Sequence, residues 1–190
     1  MRSMASPTPA VVSVAQALAD LGSKSMAQAV VVEDTQDNLQ ANLAGLQKLA
    51  AAGKLSSLTF TDSSNRLQFT ASQLSSDSTL VKNLVATGVT VAVADNAANM
   101  AHVASRLTAD FEVTVTDSAA NVQKNLSGLQ TLSATSKLDS LVFTDGAPAL
   151  NLKASQFAAT SQLRAQMTDA SITVTDTAAN MAHYNVASAN

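Results

Sequence analysis

Two stretches of this chain carry nearly the same sequence, and this duplication limits the available folds more than any other feature. Residues 34–62 (DTQDNLQANLAGLQKLAAAGKLSSLTFTD) align with residues 117–145 (DSAANVQKNLSGLQTLSATSKLDSLVFTD), with 17 of 29 positions identical. The match continues at an offset of 83 through residues 71–73 and 154–156, and at an offset of 81 through residues 95–102 and 176–183. A tandem repeat of about 82 residues predicts a fold built from equivalent units.

The repeat divides the chain into three parts. We expect an N-terminal tail and capping helix, a partial repeat, in residues 1–29, a first copy in residues 30–112, and a second copy, truncated at its end, in residues 113–190. Residues 11–28 are predicted to form the helix that precedes a first strand, as residues 97–108 precede the strand at 111–116.

Each copy alternates between helical and strand periodicity. Four apolar residues recur at helical spacing in both copies and predict amphipathic helices: Leu39, Leu43, Leu46 and Leu49, matched by Val122, Leu126, Leu129 and Leu132. Other apolar pairs alternate with polar residues and predict strands with one buried face: Leu58/Phe60, Leu67/Phe69, Val113/Val115, Leu141/Phe143 and Ile172/Val174.

The order of these elements predicts an α/β fold with a mostly parallel sheet. Each first strand leads into a helix, which favours right-handed crossovers between parallel strands. Because the strands alternate rather than forming continuous apolar runs, we expect helices on one side of the sheet only and solvent on the other, as in a solenoid-like tandem repeat. Turn-forming residues also allow short hairpins at 63–66 and 146–149.

Threonines mark the polar side of three predicted strands. We expect them to form neighbouring rows on a solvated face, and this face is the candidate interaction surface: Thr59, Thr61, Thr114, Thr116, Thr173 and Thr175. The alternative explanation is that threonine simply favours strands at a wet surface.

An Asp-x-x-x-Asn motif recurs where a strand gives way to a helix. It occurs as Asp34/Asn38, Asp95/Asn99, Asp117/Asn121 and Asp176/Asn180. The carboxylates could ligate calcium, but a position directly before a helix favours helix N-caps that accept backbone N–H groups. We therefore predict four N-capping aspartates and no metal.

No catalytic or cofactor signature is recognisable. His102 and His183 occupy equivalent positions in the two copies, where a repeat would keep them apart, and we interpret them as helix-surface histidines. Met100 and Met181 are expected to fill a seam between layers. No phosphate-binding glycine loop, His-Glu-x-x-His or Gly-x-Ser-x-Gly occurs. We therefore expect no enzyme and no cofactor.

The composition limits the kinds of partner that the chain could bind. The chain has 11 basic and 14 acidic residues with no basic cluster, which argues against nucleic acid. It has no cysteine, no run of 18 apolar residues and no recognisable N-terminal signal peptide. If exported, it must therefore use another type of signal.

The runs VTVTDSAANVQKNLSGLQTL, LDSLVFTD and SITVTDTAANMAH resemble tandem α/β repeats of large secreted or surface proteins of Gram-negative bacteria. Such repeats are often found beside hemolysin-type calcium-binding modules, whose Gly-Asp repeats this chain lacks. The resemblance covers residues 30–183 and implies a secreted or cell-surface location and a structural or adhesive role, without implying any site residues.

These features favour a non-enzymatic structural or interaction module that binds a protein or surface partner or associates with itself. The alternative is a secreted effector or toxin-associated protein delivered to a host cell, with residues 1–9 as a disordered export signal.

Overall fold

The structure is a computed structural model that describes residues 8–23, 25–107 and 110–184. Residues 1–7, most of the candidate export signal, lie outside the described residues.

Strands and short helices alternate along the described chain. The strands are β1 (Val11–Val12), β2 (Val30–Asp34), β3 (Leu55–Phe60), β4 (Arg66–Phe69), β5 (Thr90–Asp95), β6 (Phe111–Asp117), β7 (Ser140–Phe143), β8 (Ala149–Leu152) and β9 (Ser171–Val174). The helices are α1 (Val14–Gly22), α2 (Gln36–Ala41), α3 (Leu43–Ala51), α4 (Ala71–Ser76), α5 (Ser78–Ala86), α6 (Ala97–Val103), α7 (Ala119–Lys124), α8 (Leu126–Ala134), α9 (Ala154–Ala159), α10 (Ser161–Arg164) and α11 (Ala178–His183).

The predicted mixed α/β class with parallel strands is confirmed. The strands form three sheets with the orders β1-β2-β3, β4-β5-β6-β7 and β8-β9. The pairs β1–β2, β2–β3, β6–β7 and β8–β9 are all parallel. The predicted hairpins at 63–66 and 146–149 are wrong, because β3 and β4, like β7 and β8, belong to different sheets.

The long amphipathic helix of each copy is a pair of shorter helices. Asn42 separates α2 from α3 with φ −112° and ψ 22°, and Asn125 separates α7 from α8 with φ −104° and ψ 16°. Each asparagine donates its Nδ2 to the carbonyl four residues earlier, at 2.8 Å and 2.9 Å. This side-chain bond competes with the backbone pattern and breaks the helix at an equivalent place in both copies.

The helix predicted at 11–28 begins with a strand instead. Val11 and Val12 pair with Val31 and Val32 of β2, and α1 occupies only Val14–Gly22. Ser13 is the N-cap, since its hydroxyl accepts from the backbone N–H of Gln16. The strand has only two residues, but both are β-branched valines, and β-branching favours a strand over a helix.

The chain divides into two compact units. The first comprises the described residues of Met1–Gln68 and Ser76–Val91, where α1 packs on α3 and α3 packs on α5. Leu46, Leu49 and Leu80 are fully buried there. The second comprises the described residues of Phe69–Ser75 and Ala92–Asn190, where α8 packs against α6 and α10. Val113 and Leu129 are fully buried there.

Candidate functional surface

The four Asp-x-x-x-Asn junctions share one geometry. In Asp117, Oδ1 accepts from the backbone N–H of Ser118 at 2.8 Å and from Nδ2 of Asn121 at 2.7 Å. Asp34, Asp95 and Asp176 accept from the residues one and four positions later in the same way.

The prediction that these aspartates are the N-caps is wrong by one residue. The N-cap is the residue that follows each of them, and its side-chain oxygen accepts the N–H three residues on: Thr35, Asn96, Ser118 and Thr177. Either residue of the pair has an acceptor side chain, so the Asp-Thr, Asp-Asn or Asp-Ser sequence alone does not distinguish them.

The second carboxylate oxygen of each aspartate caps a different helix. Oδ2 of Asp117 accepts the N–H of Ala97, the first residue of α6, at 3.0 Å. The corresponding pairs at the other junctions are Asp34 with Val14, Asp95 with Ala71, and Asp176 with Ala154. Each aspartate thus joins the end of its own strand to the N-terminus of an earlier helix. The unpaired N–H groups and the dipole at a helix N-terminus favour a negative charge such as this carboxylate. Because both oxygens accept N–H groups, the contacts support hydrogen bonding rather than calcium ligation.

Two further aspartates, which the sequence analysis did not single out, act in the same way. Asp62 accepts the N–H of Gln36, the first residue of α2, at 2.8 Å. Asp145 accepts the N–H of Ala119, the first residue of α7. The Phe-Thr-Asp sequence at the ends of β3 and β7 was the available signal, because it places an aspartate two residues after the last strand residue.

Hydrogen bonding lowers the pKa of three of these carboxyls. The bond from Asn38 is the main cause for Asp34, and the bond from Asn180 is the main cause for Asp176. Partial burial is the largest single influence on Asp117 and raises its pKa, but the bonds from Asn121, Ala97 and Ser118 together outweigh it. A carboxyl whose native pKa lies below its unfolded value stabilises the fold above the unfolded pKa, and this contribution is lost as pH falls.

We expect Asp117→Ala to lower the free energy of unfolding by about 0.5–2 kcal/mol at pH 7, the range for a lost helix cap. The difference from the parent protein should shrink as pH falls below about 4, where the carboxyl is protonated in the unfolded chain first, and it should vanish once pH also falls below the lowered native pKa. Urea unfolding at a series of pH values measures both effects. Asp37→Ala, which removes an exposed carboxylate from the first turn of α2, is the control. A cost for Asp117→Ala that stays constant down to pH 2 would contradict the charged role.

The histidines lie on helix surfaces, as predicted. His102 is exposed on α6 and borders a shallow depression with Ser72, Ser75 and Asn99. His183 makes a T-shaped ring contact with Tyr184, with centroids 4.8 Å apart. Within the described ranges, no three His, Cys, Asp or Glu side chains lie close enough together to hold a metal ion. Met100 is fully buried, whereas Met181 is only half-buried.

The six threonines are accessible to solvent. However, in the strand pairs β2–β3, β6–β7 and β8–β9 they do not lie beside one another, so they do not form the predicted neighbouring rows. Thr114 is half-buried and the other five are exposed. They belong to three sheets, or directly follow a strand of one of them. Thr59 lies beside Glu33, Thr116 beside Val142, and Thr173 beside Asn151. The polar faces are therefore mixed rather than threonine ladders.

The structure adds an exposed apolar residue and a depression beside β7. Val142 is 46% exposed and stands next to Thr116 on the same face of the sheet. A depression of about 570 Å³ runs beside this strand, and its wall includes Asp145, Gly146 and Thr168. Sequence reasoning missed this feature. The change of offset from 83 to 81 places a two-residue deletion in the second copy before β9, so the wall that includes Thr168 differs from the first copy.

No helix in the described part of the chain is long and apolar enough to cross a membrane. Comparisons with family models, with curated proteins and with solved structures found no match to this chain.

Proposed function

We propose that this chain is a non-enzymatic interaction module, built as a solenoid-like tandem repeat, of a secreted or cell-surface bacterial protein. Both copies run through the same order of strands and paired helices, and equivalent aspartates tie each strand end to an earlier helix. Such a repeated connection is what a solenoid requires, since each turn contacts only its neighbours. The resemblance of residues 30–183 to repeats of exported proteins supports the location.

The mixed polar face of the strands is the proposed contact surface. The observation that carries this proposal is the patch formed by Val142, Thr114 and Thr116 beside the depression along β7. Covering these three side chains costs less than covering a charged surface, because none of them carries a charge that would lose its hydration. The patch thus suits a protein or surface partner better than a charged polymer.

Replacing Thr114, Thr116, Thr173 and Thr175 together by lysine should abolish adhesion to a partner surface while the protein stays folded. Four added charges on this face would have to be buried against the partner, whereas in the free protein they remain in water. Adhesion of the labelled protein to Gram-negative cells measures the effect, and circular dichroism verifies folding.

The matched control places four lysines on exposed helix positions of the same unit, at Ala120, Ser127, Ser155 and Gln162. It carries the same added charge and should adhere like the parent protein. Equal adhesion of all three proteins would remove the strand face as the contact surface.

A further inference from the structure

The helix α11 repeats the first six residues of α6 exactly, and β9 is the equivalent of β5, but β9 and α11 lack the covering that β5 and α6 have. Asp95 to His102 and Asp176 to His183 differ at a single position, Asn96 against Thr177. Val93, Ala97, Met100 and Val103 are buried, at 0%, 0%, 0% and 3% exposure. Their equivalents are open: Val174 and Met181 are half-buried, Ala178 is exposed, and Tyr184 is 40% exposed.

The first copy shows what covers this face. Strand β6 lies next to β5, and α6 packs against β6, α7 and α8. Ala97 donates its N–H to Asp117 at the end of β6. A Cβ added to Gly128 of α8 would lie 2.4 Å from Cβ of Ala101, so the two helices meet closely at this glycine. In the described part of the second copy, β9 pairs only with β8, and no further strand occupies the position that β6 takes.

A second segment of the same kind exists in the chain. The segment β2–α2–α3 is the equivalent of β6–α7–α8, with Asp34 in the place of Asp117 and Gly45 in the place of Gly128. In its own chain it is covered by β1 and α1. Asp34 accepts from Val14, and a Cβ on Gly45 would lie 2.6 Å from Leu18.

The covering by β1 and α1 is a poorer match than β9 and α11 would supply. Three positions of α6 face its neighbours: Met100, Ala101 and Val103. The helix α11 has similar residues there, namely Met181, Ala182 and Tyr184. The helix α1 differs more, with Ala17, Leu18 and Asp20. Strand β1 has two residues, and its Val11 is 59% exposed, whereas β9 has four residues. The strand β9 therefore offers more backbone pairing than β1, and Met181 and Tyr184 offer larger apolar side chains than Ala17 and Asp20 at the equivalent positions.

We propose that a second copy of this chain covers β9 and α11, by offering its β2–α2–α3 segment in place of its own β1 and α1. In the assembly β9 pairs in parallel with β2 of the next copy, Ala178 donates its N–H to Asp34, and Ala182 packs on Gly45. The contact is head-to-tail, so it produces rings or filaments rather than a fixed dimer. It names a partner for the proposed interaction module but uses a different surface from the threonine patch, so the two proposals can fail separately.

To bind β2–α2–α3 of another copy, β9 and α11 have to displace that copy's own β1 and α1, which are attached to it. A tethered β1 and α1 acts at an effective concentration in the millimolar range, so we expect association to become measurable at roughly 0.1–1 mM protein. Sedimentation equilibrium over this range should show the weight-average mass of the full chain rising with concentration. A constant monomer mass over the whole range would overturn the proposal.

Ala182→Arg tests the donated helix. This residue is exposed, so the folded monomer tolerates the change, but its equivalent in the first copy, Ala101, meets Gly128 closely. The variant should remain monomeric. Ala179→Arg, on the same helix, is the matched control, because both Ala179 and its equivalent Ala98 are exposed. It should assemble like the parent, and equal assembly by both variants would refute the contact.

A disulfide between β1 and β2 tests the acceptor. Val11 and Val31 are register partners in adjacent strands, and the chain has no other cysteine with which Val11→Cys and Val31→Cys could pair. The oxidised double variant holds β1 in place and should stay monomeric, while the reduced form should assemble like the parent. If the oxidised form assembles while Ala182→Arg does not, β9 and α11 dock elsewhere and the exchange is wrong. The threonine-to-lysine variant and the cell-adhesion assay address the proposed function separately.

Discussion

Leu43→Ala and Leu126→Ala should each lower the free energy of unfolding by about 2–5 kcal/mol, and by closely similar amounts, because truncation of a buried leucine loses transfer free energy and leaves a cavity. The two residues begin α3 and α8, the second helices of the equivalent pairs. Each is 4% exposed. Equal burial at equivalent positions predicts equal cavities.

Chemical denaturation followed by circular dichroism measures both costs. Val142→Ala is the control, since this side chain is 46% exposed and little of its surface is lost from the core. A severe effect at one leucine with a neutral effect at the other would mean that the copies pack differently, and it would remove the main support for the repeat architecture.

The periodicity of the sequence predicted the buried stripes correctly. All eight residues of the two helical stripes are buried, and their equivalents match in exposure: Leu39, Leu43, Leu46 and Leu49 with Val122, Leu126, Leu129 and Leu132. Apolar spacing reports which face of a helix is buried, but it does not report where the helix breaks. The breaks at Asn42 and Asn125 depend on one side-chain hydrogen bond each, which spacing does not encode.

The junction aspartates were recognised, but only half of their role could be predicted. Their position after a strand indicated the bonds to the residues that follow. The bonds from Ala97 to Asp117 and from Val14 to Asp34 join residues 20 positions apart, so they depend on how neighbouring strands stack. Local sequence carries no direct information on such a contact.

For the candidate surface, too, local sequence does not predict contacts between strands. Alternation within each strand predicted correctly that the threonines point away from the core. Their neighbours across the sheet depend on strand pairing and register, and an alternating strand offers no indication of which strand it will join. The pairing of Thr59 with Glu33 and of Thr116 with Val142 could therefore not be read from the sequence.

Gly128→Ala should destabilise the protein by about 1–3 kcal/mol, whereas Gly45→Ala, its equivalent in the first copy, should be close to neutral. A Cβ at Gly128 would lie 2.4 Å from Cβ and 3.0 Å from Cα of Ala101, so α6 itself would have to move. A Cβ at Gly45 would meet Cδ1 and Cδ2 of Leu18 at 2.6 Å and 2.7 Å.

The two glycines differ in how easily the neighbouring atoms can move away from an added Cβ. Leu18 is half-buried and can turn the end of its side chain away, and alanine gains about 1 kcal/mol over glycine in a helix, which offsets the remaining strain. Thermal and chemical unfolding of the two variants, compared with the parent, measures the difference. An equal, large loss in both variants would mean that α1 is held against α3 as rigidly as α6 is held against α8. A segment held so firmly would not yield its place to a second copy, so the same result would also weaken the proposed exchange of β1 and α1.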